Sequence, residues 1–187
     1  VNLISESISE TALAYFEEKQ MPVQLMGVDS VFGQLTNIED IITDGHYEVF
    51  DGAFDRAVLG QGLAWKLGIG AHFIHAIEVY APKREGQVNM LRPDVNFNSE
   101  RCFIAGTFAV NQQKYDENLM LVDIDLTRRL LDYDKTEVTA LQVGIAEGVS
   151  IRRAKREITS LLGDGYLIQD RYEQQEDFFR ILRVEKF

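Results

Sequence analysis

The stretch Val58-Leu59-Gly60-Gln61-Gly62-Leu63-Ala64-Trp65-Lys66-Leu67-Gly68-Ile69 constrains the chain most. A short apolar run reaches a glycine pair, and Leu59, Leu63 and Leu67 then recur every fourth residue before Gly68, the spacing of one buried helix stripe closed by a glycine stop. The pattern predicts strand, tight turn and helix. Gly60-x-Gly62 also opens the dinucleotide fingerprint G-x-G-x-x-G, but its third position is Trp65. A glycine there lets the helix pack closely on the strand below, and an indole would hold the two apart. A nucleotide-dependent enzyme using Gly60 and Gly62 is therefore a remote alternative, and Trp65 is expected to be a packing residue where two parts of the domain meet.

Nineteen basic and 30 acidic side chains in 187 residues give a formal charge of −11, which repels phosphate backbones and anionic lipid head groups alike and argues against a nucleic-acid partner. The balance of 45% hydrophobic and 26% charged residues is that of a globular chain able to fold. A lone cysteine, Cys102, excludes an internal disulfide, and its neighbours Phe103 and Ile104 predict a buried structural thiol. No run of 18 apolar residues and no basic-then-apolar leader pattern occurs. The chain opens on Val1-Asn2-Leu3-Ile4, already apolar and without an initiator methionine, as expected of a piece of something longer.

In chain order, residues 1 to 16 and 21 to 28 read as a strand hairpin, with Pro22 at the start or edge of the second strand. Ile38, Ile41 and Ile42, behind Thr36 and Asn37 and ahead of Gly45, predict a helix of about two turns, and His46 to Phe50 a short strand. Phe73 to Tyr80 is a strand candidate. Residues 82 to 101 carry no periodicity, and a long structureless run inside a compact domain is commonly functional. Strands are expected again at Cys102 to Val110, Leu119 to Ile124 and Val138 to Ile145, with a helix capped by Asp125 between the last two. Ser150 caps a helix carrying Ile151, Ala154, Ile158, Leu161 and Leu162 up to Gly163; a strand at Tyr166 to Asp170 and a helix from Tyr172 to Phe187 close the chain.

Chemistry is sparse. His72 and His75, three apart in an expected strand, face opposite sides, and His46 is the only other histidine, so no metal site is assembled. Asp123, Asp125, Asp132 and Asp134 lack the glycine and terminal glutamate of a calcium loop. Ser5, Ser7 and Ser9 have no G-x-S-x-G context. Arg152, Arg153, Lys155 and Arg156 read as the solvated face of a helix. No catalytic residue, cofactor site or metal site is assigned.

Gly27-Val28-Asp29, Asp44-Gly45, the glycine-leucine run from Val58 to Gly68, Gly106-Thr107-Phe108 and Tyr115-Asp116 together make the chain resemble the extracytoplasmic domain of lipoprotein-releasing ABC transporter permeases. Macrolide-exporter and cell-division permeases are more distant relatives. The closing Phe178 to Lys186 resembles the lead into the family's second membrane helix. The resemblance implies an α+β fold, with a porter-like α/β subdomain of mixed sheet at 1–50 and 119–187 and a β-rich, sabre-like subdomain at 51–118 inserted in it. Part of the porter, an N-terminal strand and helix, is not found in this sequence. The resemblance further implies a position on the periplasmic side of the bacterial inner membrane, between flanking membrane helices, and no catalysis in this chain. ATP would be hydrolysed by a separate cytoplasmic subunit, and a second permease subunit would complete the transporter. In the lipoprotein-releasing members a hairpin in the region corresponding to residues 82–101 docks the soluble lipoprotein carrier, so the resemblance implies that a lipoprotein or its carrier would dock there, with Met90, Leu91, Arg92 and Pro93 as the tip and Lys83, Arg84 and Arg101 as supporting charges. The rival reading is a mechanotransmission domain of a macrolide-exporter-like (MacB-like) pump for small molecules or peptides, working with an outer-membrane partner.

Overall fold

A computed structural model describes residues 1–86, 88–170 and 172–174. The fold is mixed α+β, a sheet with a few short helices. The chain divides into two compact units, one of Ile4–Gln142 and the other of Val1–Leu3 with the chain from Val143 onward.

In the larger unit, β1 (Leu3–Phe16) and β2 (Lys19–Val28) form the expected hairpin, paired from Phe16↔Lys19 to Ser7↔Val28. Pro22 lies ahead of Gln24, where β2 begins its parallel pairing with β7 (Leu119–Asp123), so its missing N–H leaves no ladder bond unmade on that edge. The helix expected over Ile38–Ile42 is instead α1 (Phe32–Thr36) followed by a 3-10 turn at Ile38–Ile41. Asn37, left-handed at φ 51°, breaks the two apart, and Ile42 turns extended to begin β3 (Ile42–Gly45). The strand expected over His46–Phe50 reduces to a single bridge, Phe50↔Asp55.

The Val58–Ile69 stretch folds as its spacing predicts. β4 (Arg56–Gly60) runs into α2 (Gln61–Leu67), which buries Leu63, Ala64 and Leu67 and ends at Gly68, left-handed at φ 75°. β5 (Ile77–Pro82) starts later than Phe73, whose ring instead meets Phe16 edge-on at 5.9 Å. β6 (Phe97–Phe108), α3 (Gln113–Asp116), β7 and α4 (Ile124–Leu131) follow. The cap of α4 is Asp123, not Asp125: the Asp123 carboxylate accepts the Asp125 N–H at 2.8 Å.

The strands are ordered β2-β7-β4-β6-β5-β1-β8, with β3 on β6 and β2 also on β1. Leu13 is thus paired with Pro22 of β2 and with Tyr80 of β5. Alternation along β4 and β7 divides the interior in two. Leu59, Met120 and Val122 join Phe16, Leu25, Leu63, Ile77, Leu126 and Leu130 in the main core. Val58 and Leu121 point the other way and join Val28, Phe32, Ile38 and Phe108. Each such side chain, fully buried, contributes about 1.5–3 kcal/mol.

β8 (Ala140–Gly144) begins in the larger unit and ends in the smaller, where the Asn2 N–H donates to the Gly144 carbonyl at 2.8 Å. There α5 (Ile151–Leu162) starts behind Ser150 and stops at Gly163, φ 75°. Tyr166–Asp170 is not a strand, and of the expected tail helix Tyr172–Gln174 are helical while the remainder lies outside the described residues.

Candidate partner-binding hairpin

The segment without periodicity, where the resemblance implies a hairpin, is a β-hairpin with a folded tip. β5 and β6 pair from Ile77↔Cys102 to Pro82↔Phe97, and the Lys83 N–H reaches the Asn96 carbonyl at 2.8 Å. The open part therefore shrinks to Lys83 through Asn96, ending in a 3-10 turn at Pro93–Asn96. Its order comes from two asparagines. The Asn89 side-chain oxygen accepts the Leu91 and Arg92 N–H groups, both at 3.0 Å, and Asn89 and Asn96 bond to each other across the loop.

Of the seven residues singled out from the sequence, Met90, Leu91, Arg92 and Pro93 do lie together at the tip. Met90 is 84% and Leu91 94% exposed, and Val88, which sequence reasoning missed, is exposed beside them. Arg92 has Asp94 at 3.8 Å. Lys83 is exposed at the root. Arg84 is an anchor: its guanidinium contacts both Glu137 oxygens, at 2.7 and 2.8 Å, and stacks 4.8 Å over Tyr133. The Asp134 N–H, and then Arg84, hold the Glu137 carboxyl below the usual carboxylate range. Arg101 sits on the stem, paired with Glu78 at 2.6 Å. The arrangement offers an exposed apolar tip on a stem tied down at Arg84.

Elsewhere the glycine pair has a packing role. A Cβ on Gly60 would lie 2.4 Å from the Asp116 carbonyl oxygen and 2.6 Å from that of Tyr115, so the backbone leading into β7 passes directly against this glycine. Trp65 corrects the expectation placed on it: it is 84% exposed, because α2 turns Leu63, Ala64 and Leu67 inward and its indole outward. His72 and His75 are not in a strand; each is exposed, 3.8 Å from a different carboxylate, Asp44 and Glu17 respectively. Among the described residues no three His, Cys, Asp or Glu side chains converge as a metal site would. Cys102 is wholly buried, and desolvation pushes its thiol well up from the ordinary value, so it stays protonated.

No protein-family model matches the sequence, and no curated protein sequence does. Solved structures do resemble it. One is the extracellular domain of the noncanonical ABC-type transporter YknZ from Gram-positive bacteria, with TM-score 0.55, 14% identity, and coverage of 87% of this chain and 74% of that one. Another is the periplasmic region of MacB from Actinobacillus actinomycetemcomitans, with TM-score 0.57, 11% identity, and coverage of 85% and 64%. A third is a domain of a permease protein from Porphyromonas gingivalis, with TM-score 0.50, 17% identity, and coverage of 88% and 65%. This chain spans less than two thirds of the last two domains. At such identities the likeness defines the fold: it is that of MacB-like extracytoplasmic domains. Among the described residues no helix is long and apolar enough to cross a membrane.

Proposed function

We propose that the chain is the extracytoplasmic domain of an ABC transporter permease, held on the periplasmic side of an inner membrane by helices outside this sequence. The observation that carries this reading is the shared fold with the YknZ and MacB domains. Such a domain is not itself an enzyme. It passes on motion driven by a cytoplasmic ATPase subunit and works beside a second permease subunit. Porter-like parts at 1–50 and 119–187, with a sabre-like part at 51–118, remain our division of the chain on this reading.

Within it, the β5–β6 hairpin is the partner contact. Val88, Met90 and Leu91 offer an apolar tip to a lipoprotein or its soluble carrier, Arg92 and Pro93 flank it, and Lys83 and Arg101 supply charge on the stem. The likeness to MacB equally supports a pump for small molecules or peptides with an outer-membrane partner. Whole-cell crosslinking from position 90 separates the two: capture of a lipoprotein or carrier supports the first, and capture of an outer-membrane channel supports the second. The permease reading fails if the parent gene encodes no hydrophobic span of about 20 residues beyond Phe187.

A further inference from the structure

The chain has four methionines and one cysteine, and thioether and thiol sulfur are the side-chain atoms that a peroxide oxidises readily. Three of the methionines are sheltered. Met120 is wholly buried in the main core, Met21 packs against that core, and Met26 packs against the second one. Cys102 is buried as well, and a protonated thiol shut off from solvent is inert. Met90 differs from all of these: it is 84% exposed, among the apolar side chains of Val88 and Leu91 at the hairpin tip. The bonds that order this loop run through Asn89 and Asn96 and do not use the Met90 side chain.

We propose that Met90 is an oxidation site for peroxides, and that its sulfoxide turns off the partner contact of the hairpin. The second half rests on the reading of the tip as that contact. In the step itself the Met90 Sδ attacks one oxygen of hydrogen peroxide: the S–O bond forms as the O–O bond breaks, sulfur gives up two electrons, and the other oxygen leaves as water with both protons. Reduction back to the thioether takes two thiols, which end as a disulfide and release one water. The sulfoxide is polar where the thioether was apolar and pliable, so the tip now offers a strong hydrogen-bond acceptor to a surface fitted to a hydrophobic side chain. Leu91 supplies apolar area beside it but has no atom that responds to an oxidant. Asn89 keeps its hold on the Leu91 and Arg92 N–H groups throughout, so oxidation changes what the tip presents and leaves the loop folded.

Two measurements test this. Graded hydrogen peroxide on the full chain, followed by peptide mass spectrometry, should add oxygen at Met90 at least about tenfold faster than at Met120, with Met21 and Met26 between them. Whole-cell photo-crosslinking from position 91 then reads the contact. Peroxide should lower the crosslink of the parent to a lipoprotein, carrier or outer-membrane channel by roughly tenfold. Met90→Gln should show the low yield without peroxide, and Met90→Leu should keep the high yield with it. Oxidation of Met90 no faster than of Met120 would overturn the site. An unchanged crosslink from the oxidised parent, or an equal loss in peroxide-treated Met90→Leu, would overturn the regulation. A parent that gives no crosslink before oxidation sinks the contact reading and this regulation with it, whereas the order of oxidation tests the site by itself.

Discussion

Asn89 and Asn96 hold each other across the hairpin tip: the Asn89 N–H donates to the Asn96 side-chain oxygen at 2.8 Å, and the Asn96 amide donates back to the Asn89 carbonyl at 3.1 Å. Together with the two N–H groups caught by the Asn89 side chain, this pair fixes the loop that presents Met90 and Leu91.

Asn89→Ala removes two accepted bonds and Asn96→Ala removes the cross-loop pair. Because the loop is exposed, water replaces each bond, and global stability should fall by no more than about 1 kcal/mol. Local order should fall much further. Hydrogen exchange at the Leu91 and Arg92 amides is expected to quicken in Asn89→Ala while the β5–β6 stem stays protected. Unchanged exchange there would mean that the tip is ordered by something other than the asparagines.

Gly60 is required by contact and not by backbone angle, since its φ is −53°. A methyl group there meets the backbone oxygens of Asp116 and Tyr115 at 2.4 and 2.6 Å, and neither can swing away as a side chain would. Gly60→Ala should cost about 1–3 kcal/mol or more as β4 and the Tyr115–Asp116 backbone are forced apart. At Gly62 the nearest atom is the flexible Glu117 Cγ at 2.9 Å, with the Asp116 oxygen at 3.0 Å, and alanine gains about 1 kcal/mol of helix propensity. Gly62→Ala should therefore be clearly milder. Urea midpoints of the two variants decide it, and equal losses would sink the assignment.

Trp65 is the only tryptophan, so its fluorescence reports one site. At 84% exposure the indole should emit as a hydrated chromophore and be quenched by acrylamide nearly as freely as in a peptide. Trp65→Ala should change stability by less than about 0.5 kcal/mol, the range of surface substitutions. A blue-shifted, protected emission would place the residue in a contact that these described residues do not contain.

What was legible in the sequence followed from period and from glycine. Leu59, Leu63 and Leu67 gave α2 its core side, and Gly68 its end, because both signals are local. Trp65 defeats a reading by residue type, which sets an aromatic side chain in the core, whereas the periodicity of α2 places it opposite the leucines. Ile38–Ile42 misled because helical spacing cannot foresee that Ile42 will find Phe108 as a strand partner. From periodicity alone the hairpin is legible as a location and not as a shape, which only the family resemblance supplies. Its charges and asparagines have no period, and the side-chain bonds that order Asn89–Asn96 reach across seven residues. Arg84 looked like a free charge for the same reason: Glu137, which holds it, is 53 positions away.

Tyr47 offers the last test. Its ring packs against Gly33, where an added Cβ would lie 2.8 Å from Cε1, and its hydroxyl is buried with no partner among the described residues. Burial first, and then the carboxylates of Asp29, Asp123 and Glu39, push the phenol from 10 up to about 12. Tyr47→Phe removes an unpaired hydroxyl while keeping the ring, so stability at neutral pH should be unchanged or rise by up to about 1 kcal/mol. The alkaline behaviour fixes the sign. Below pH 10 the phenol is protonated in both states and its contribution is fully present. Between 10 and about 12 the unfolded chain releases the proton while the folded one keeps it, so stability falls as pH rises through that window. Denaturation of both proteins across this range should show a steeper decline in the parent than in Tyr47→Phe. Parallel curves, or a clear loss at neutral pH in the variant, would show that the hydroxyl has a partner after all.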